Sequence, residues 1–302
     1  EWCSGTSQSA PTVSGAAAAL VEWYNSTYGV RPSPAMVKAL IINTAYDLDE
    51  ENGNTDPIPN KKEGWGMVDL VPIVQPEVNR RMVDQDSLLA TGEEDTYSFQ
   101  YDDSSKPMDI TLTWTDEEAA VGDNVTLMNN LDLKVIDPDG ELVYKGNAFD
   151  KDNDSVSDSG YTYPNEDTMW SFDGDNDGYD DRNVVENVKI PSSELKGGVY
   201  KVKVIGENIP SDSNNDGEAN QDYALVMTNT DSIDSNGEVR FDNSTAAVED
   251  TLHITVTDSD ISGSVNVTVT SDSETLGEEV ELTETDITGE FTGTIDVSGT
   301  ES

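Results

Sequence analysis

Near the start of the chain, Gly5-Thr-Ser-Gln-Ser-Ala-Pro-Thr-Val-Ser-Gly15 sets a serine just ahead of a small-residue stretch, Gly15-Ala-Ala-Ala-Ala-Leu20. The pattern predicts a helix with Ser7 at or near its N-terminus. There, unpaired backbone N–H groups and the positive end of the dipole favour developing negative charge. Pro11 is expected in the first turn, where it removes no helical hydrogen bond. A second chemistry is written in acids. Asp173-Gly-Asp175-Asn-Asp177-Gly178-Tyr179-Asp180-Asp181 supplies carboxylates at loop positions 1, 3, 5 and 9, with glycine at 6. That spacing suits Ca²⁺, which takes six to eight hard oxygens, and the Tyr179 carbonyl can join them. Position 12 is Val184, not glutamate, and nothing helical flanks the loop, so it is not an EF-hand. Its last ligands must come from elsewhere, Glu186 being a candidate. Asp212-x-Asn214-x-Asp216-Gly217 and Asp150-x-Asp152-x-Asp154 repeat the pattern in weaker form.

The serine run resembles the motif of the subtilisin-like (subtilase) serine peptidases, Gly-Thr-Ser-x-Ser/Ala-x-Pro-x-x-small-Gly/Ala, at each constrained position. The resemblance implies that Ser7 is a nucleophile forming an acyl-enzyme. Its own N–H, beside Gly5 and Thr6, would help stabilise the oxyanion. Acyl transfer also needs a general base and a carboxylate to orient it. In the subtilisin order both precede the serine, yet six residues precede Ser7. The sole histidine, His253, lies far downstream in a strand-like Leu-His-Ile-Thr-Val run. The chain is therefore expected to be the C-terminal part of a longer secreted endopeptidase acting on proteins or peptides. Its Asp, His and oxyanion Asn would lie in an upstream part of the same polypeptide, and the chain alone would be inactive.

The elements around Ser7 fit that placement. The first helix should stop at Tyr28-Gly29. Ser33 and Pro34 should open a second, with Met36, Val37, Leu40 and Ile41 at helical spacing and Asn43-Thr44-Ala45 at its end. Subtilases likewise follow the serine helix with a Pro-started helix ending in Thr-Ala, and then Gly-x-Gly-x-Val-Asp/Asn; here the last is Gly64-Trp-Gly-Met-Val-Asp69.

Past residues 76–84 helical periodicity gives way to short alternating runs between Asp, Asn, Gly and Pro. Thr96–Tyr101, Asp109–Trp114, Leu131–Ile136, Val199–Ile205 and Tyr223–Met227 are sized for a β-sandwich, and Asp137-Pro-Asp-Gly140 for a hairpin turn. The markers Leu-Thr-Trp-Thr-Asp (112–116), Asn-Asn-Leu-Asp-Leu (129–133), Asn-Val-Val-Glu-Asn-Val (183–188) and Gly-Val-Tyr-Lys-Val-Lys-Val (198–204) resemble the jelly-roll domain of one branch of alkaline subtilases. The expected fold is multidomain: residues 1–80, the C-terminal part of an α/β subtilase domain; 82–232, a Ca-binding jelly-roll sandwich; 233–302, an immunoglobulin-like β-sandwich, whole or cut short at Ser302.

Charge sets the surroundings. Asp and Glu number 62 against 16 Lys and Arg, a net charge of −46. Self-repulsion of that size is relieved by salt or bound divalent metal, so a salt-rich setting is expected, and the peptidase resemblance implies an extracellular one. Nucleic acid is excluded as a partner because there is no basic patch, and no apolar run reaches the length of a membrane span. One cysteine, Cys3, leaves no internal disulfide framework. The alternative function is a non-catalytic, Ca-dependent β-sandwich adhesion protein. The intact serine motif favours the peptidase.

Overall fold

The computed structural model describes residues 5–48, 57–60, 63–74, 79–101, 106–122, 126–149, 160–168, 174, 177–213, 217–232, 238–241, 250–257, 264–271, 274–285 and 290–297. The chain divides into two compact units, Glu1–Asp231 and Ser232–Ser302, and is mostly β-sheet with few helices.

Helix α1 (Thr6–Tyr28) begins after Gly5, whose φ of 131° is a conformation glycine adopts readily. It stops at Gly29, left-handed at φ 74°, whose N–H donates to the Asn25 carbonyl at 3.0 Å. Because the helix starts at Thr6, Pro11 lies in the second turn, not the first as expected. There its missing N–H leaves the Ser7 carbonyl without the usual helical donor. Helix α2 (Pro34–Asn43) is capped as its sequence predicts: Ser33 Oγ accepts the Met36 N–H at 2.9 Å, and Pro34 fills the first position. After α2, Tyr46 and Met67 exchange backbone hydrogen bonds across the Gly64–Gly66 turn. Gly66 has no alternative there, since a Cβ would sit 2.5 Å from the Tyr46 carbonyl oxygen. A single turn, α3 (Val71–Val74), ends this segment.

The strands that follow α3 are β1 (Arg80–Leu89), β2 (Glu94–Tyr101), β3 (Met108–Thr113), β4 (Asn130–Ile136), β5 (Val143–Lys145), β6 (Val185–Ile190), β7 (Gly198–Asn208), β8 (Gln221–Thr228) and, at the boundary of the two units, β9 (Asp231–Ser232). They make two sheets, β1-β8-β3-β6 and β5-β4-β7-β2-β9. In the first all three pairings are antiparallel, as are β5–β4, β4–β7 and β7–β2 in the second. Alternation explains the core between them. In β7, Tyr200, Val202 and Val204 are buried while Lys201 and Lys203 turn outward. They meet Phe99 and Tyr101 of β2 and Met108, Ile110 and Leu112 of β3. The Phe99 and Tyr200 rings stack at 5.6 Å.

Strand β3 is buried on both faces. Its second face, with the matching face of β8, receives the helices. Leu20 and Tyr24 of α1, Met36, Ala39 and Leu40 of α2 and Ile73 of α3 cluster with Ala224 and Val226 of β8. A polar pin fixes the register. Asn43 Nδ2 donates to the Asp109 carbonyl, Asp109 Oδ1 and Thr111 Oγ1, each at 3.1 Å. Thr228 Oγ1 donates to Asn43 Oδ1, and Thr113 Oγ1 to the Ala35 carbonyl at 2.7 Å. Every polar atom of the Asn43 amide is thus engaged, as burial requires.

In the second unit β10 (Glu238–Phe241), β11 (Thr251–Thr257), β12 (Ser264–Ser271), β13 (Glu274–Glu284) and β14 (Glu290–Asp296) form one antiparallel sheet, β10-β11-β14-β13-β12. Strand β13 meets β14 through Thr283–Thr292 and Glu284–Phe291, and Ile254, Val256, Leu282 and Phe291 make its core.

Candidate functional site

Ser7 is the second residue of α1 and is exposed, as are Gly5, Thr6 and the helix through Gly15. The Gly5 carbonyl accepts from Gln8 N–H at 2.9 Å and Ser9 N–H at 3.3 Å, so the first turn forms, and among the described residues no acceptor takes the Ser7 N–H. Among the described residues, no side chain is hydrogen-bonded to the Ser7 hydroxyl. His253 lies exposed on β11 of the other compact unit. The elements that hold Ser7 are therefore clear: Leu20 and Tyr24 anchor the far half of α1 against α2, and Asn43 anchors α2 to the sandwich.

The second cluster lies at an edge of the sandwich. Strand β5 stops at Lys145, and β6 comes alongside β4 where β5 ends. There Leu133 N–H donates to Glu186 Oε2 at 2.7 Å, across the two sheets. Gly146 makes room for this carboxylate, since a Cβ would lie 2.0 Å from Glu186 Oε2. The charges of Asp132 of β4 and of the loop acids Asp180 and Asp181 bear on it, and those of Asp177 and of Glu207 of β7 bear on Asp132. Glu186 and Asp180 are fully buried and Asp132 nearly so. Burial, then the charges of Asp177, Glu207, Asp181 and Asp180, push the Asp132 carboxyl up to about 8. Burial and then Asp132 and Asp180 push Glu186 well above the usual range. The Tyr179 phenol rises to about 12, through burial and then the nearby Asp132, Asp177 and Glu186 charges.

The loop residues expected from spacing divide. Asp177 Oδ1 accepts its own loop's Tyr179 N–H at 2.9 Å. Asp181 accepts the Gly174 N–H at 2.5 Å and the Asn130 amide at 2.9 Å. Asp180 is instead a turn former: its oxygens accept from Arg182 N–H, Asn183 N–H and the Asn147 and Asn183 amides. Asp212 accepts the Gly217 N–H at 2.7 Å. Asp173, Asp175, Asn214, Asp216, Asp150, Asp152 and Asp154 lie outside the described residues. Among the described residues, no three His, Cys, Asp or Glu side chains form a ready-made metal cluster. Sequence spacing missed Asn130, Asp132 and Glu207. Its one signal was that Asn130 and Asp132, two apart on a strand, share a face.

Residues 2–66 match the Subtilase family, and this is the segment that carries Ser7 and α1–α2. This segment is similar to the subtilisin-like serine peptidases. The chain is also 29% identical over 245 residues to the Dictyostelium discoideum "serine protease/ABC transporter B family protein tagA", covering 74% of this chain and 12% of that protein. A second relative from the same organism, "serine protease/ABC transporter B family protein tagD", is 25% identical over 221 residues, covering 57% and 12%. The chain thus spans about an eighth of the length of these relatives. An alignment of 245 residues extends well beyond residues 2–66, into the sandwich. Among solved structures, a DUF4785 family protein from Legionella pneumophila aligns at 10% identity over 76% of this chain and 57% of that one, with a TM-score of 0.28.

Proposed function

We propose that this chain is the nucleophile-bearing and C-terminal portion of a secreted subtilisin-like serine endopeptidase, with Ser7 attacking the scissile carbonyl of a protein or peptide substrate. The observation that carries the reading is the position of Ser7: exposed, second in a helix that starts at Thr6, within the subtilase-related segment. The helix N-terminus offers the Ser7 N–H and its dipole to the oxyanion of a tetrahedral intermediate. A general base and its orienting carboxylate must be supplied by the upstream part of the same polypeptide. Small residues from Gly15 to Ala19 leave α1 with a slim face on which that part can pack closely. The surplus of acid, −46 overall, fits a salt-rich setting, where ions screen its self-repulsion.

The test is active-site labelling. In the longer polypeptide a fluorophosphonate probe should modify Ser7, and Ser7→Ala should abolish both labelling and peptide hydrolysis with the fold intact. This chain by itself should not react. Hydrolysis at the parent rate by Ser7→Ala, or labelling of the isolated chain at Ser7, overturns the proposal.

A further inference from the structure

Three buried oxygens at the sandwich edge have no hydrogen-bond partner: Asn130 Oδ1, Asp132 Oδ1 and Glu186 Oε1. Buried oxygens are nearly always paired, because an unpaired one loses its hydration and gains nothing in return. Two of these three belong to carboxylates, and both feel the charge of further acids, Asp180 and Asp181, with Asp177 and Glu207 also facing Asp132. The hydrogen-bond donors that do reach the cluster are already spent. Leu133 N–H serves Glu186 Oε2, and the Asn130 amide serves Asp181 and Glu207. Lys145 Nζ is held by Asp167 Oδ1 at 2.7 Å and lies 4.5 Å from the centre of the Tyr179 ring. Among the described residues, no cation is placed on the three unpaired oxygens of Asn130, Asp132 and Glu186.

We propose that the edge between β4 and β6 is a Ca²⁺ site, in which Asp132, Glu186 and Asn130 give the protein wall and a bound ion ties the two sheets of the sandwich together. The donor set is all oxygen, mixing carboxylate with amide carbonyl, which suits a hard cation and offers no nitrogen or sulfur to a softer one. Asp132 and Asn130 come from the five-stranded sheet and Glu186 from the four-stranded one, so the ion is a cross-sheet staple rather than the filling of one loop. The charges of Asp177 and Asp181, on the loop that the sequence marks, also bear on Asp132. Gly146 serves the same end by admitting the Glu186 carboxylate. The staple also reaches toward the serine segment. Glu186 and Asn187 are neighbours on β6 and face opposite ways. Asn187 Nδ2 donates to Asp109 Oδ1 at 2.7 Å and Thr111 Oγ1 at 2.8 Å, the groups that seat Asn43 of α2. This inference is independent of whether the chain belongs to an active peptidase.

The test is calorimetry on the full chain with CaCl₂, in high NaCl at fixed ionic strength so that general screening is constant. A hundredfold excess over Kd should raise the melting temperature of the first unit by about 5–10 °C. MgCl₂ should do far less, since it demands tight octahedral geometry. Asp132→Asn should abolish the Ca²⁺ shift and the heat of binding while leaving the metal-free melting temperature equal or higher, because it removes an acid that folding buries among other acids. Glu186→Gln keeps an acceptor for Leu133 N–H and should weaken Ca²⁺ binding at least about tenfold. No Ca²⁺ shift in the parent chain overturns the proposal. So does a full shift in Asp132→Asn. A shift lost in Asp175→Asn with Asp177→Asn but intact in Asp132→Asn and Glu186→Gln would put the ion on the loop alone and overturn the staple.

Discussion

Asp109 is the carboxylate on which the seat of α2 closes. Its Oδ1 accepts from the Asn43 and Asn187 amides, and Lys189 Nζ stands 3.6 Å from Oδ2. Burial raises its pKa above the ordinary 3.8, while Lys189, Asn187 and Thr111 act in the opposite direction. The folded chain therefore holds this proton to higher pH than the unfolded chain does. Between the two values the folded state binds more protons, so stability should fall as pH rises from about 4 and level off above the folded value. Asp109→Asn should remove that component, whose slope is at most about 1.4 kcal/mol per pH unit. Urea unfolding from pH 4 to 7, followed by tryptophan fluorescence, reads it directly; an unchanged slope in Asp109→Asn would assign the pH response to other acids. Gly146 makes a steric prediction. Its Cβ would meet Glu186 Oε2, so Gly146→Ala should lower stability by about 1–3 kcal/mol and blunt any Ca²⁺ response.

Helix α1 is two different objects along its length. From Thr6 to Gly15 it is exposed, whereas Leu20 and Tyr24 are buried against α2 and β8. Its single proline removes one hydrogen bond in the exposed half. Amide exchange should therefore break within the helix, fast through the first half and slow from Leu20 onward. Protection extending evenly to Gln8 would mean that the serine turn is held by contacts beyond those described. Helix α2 sits at the other extreme. Met36, Ala39 and Leu40 are wholly buried, and Leu40→Ala should cost about 2–5 kcal/mol by leaving a cavity over the sheet. Thermal unfolding would show the loss in the first unit alone. An unaffected first unit would mean that α2 is seated by the Asn43 pin without its apolar face.

The molecule unfolds as its two units dictate. Glu1–Asp231 joins the serine segment to the sandwich in one compact body, while Ser232–Ser302 has its own small core of Ile254, Val256, Leu282 and Phe291. Two calorimetric transitions are expected, with calcium moving the larger one. Both should shift upward with NaCl, because a net charge of −46 repels itself in dilute salt. A single transition, or a calcium shift confined to the smaller one, would contradict this division.

Local signals were enough for much of the chain. Ser7 at a helix start, the Ser33 cap, the Gly29 stop and the alternating strands of the sandwich are each set by neighbours a few residues away, and sequence periodicity records such contacts. The order Gly-Thr-Ser to Pro11 was likewise enough to mark the subtilase-related segment. Pro11 was misplaced by one turn because the first helical residue depends on where Gly5 turns the backbone. What sequence could not hold is partnership at a distance. By alternation Asp109, Thr111 and Thr113 look like a solvent face of β3, yet α2 covers them, and Asn43 finds Asp109 from 66 residues away. Asp132 and Glu186 read as ordinary acids in an acid-rich chain. Only folding brings Leu133 and Glu186 together across 53 residues, and with them the unpaired oxygens at the sheet edge. The sequence chose the chemical groups; burial, which depends on what packs from the other sheet, decided which of them must find a partner.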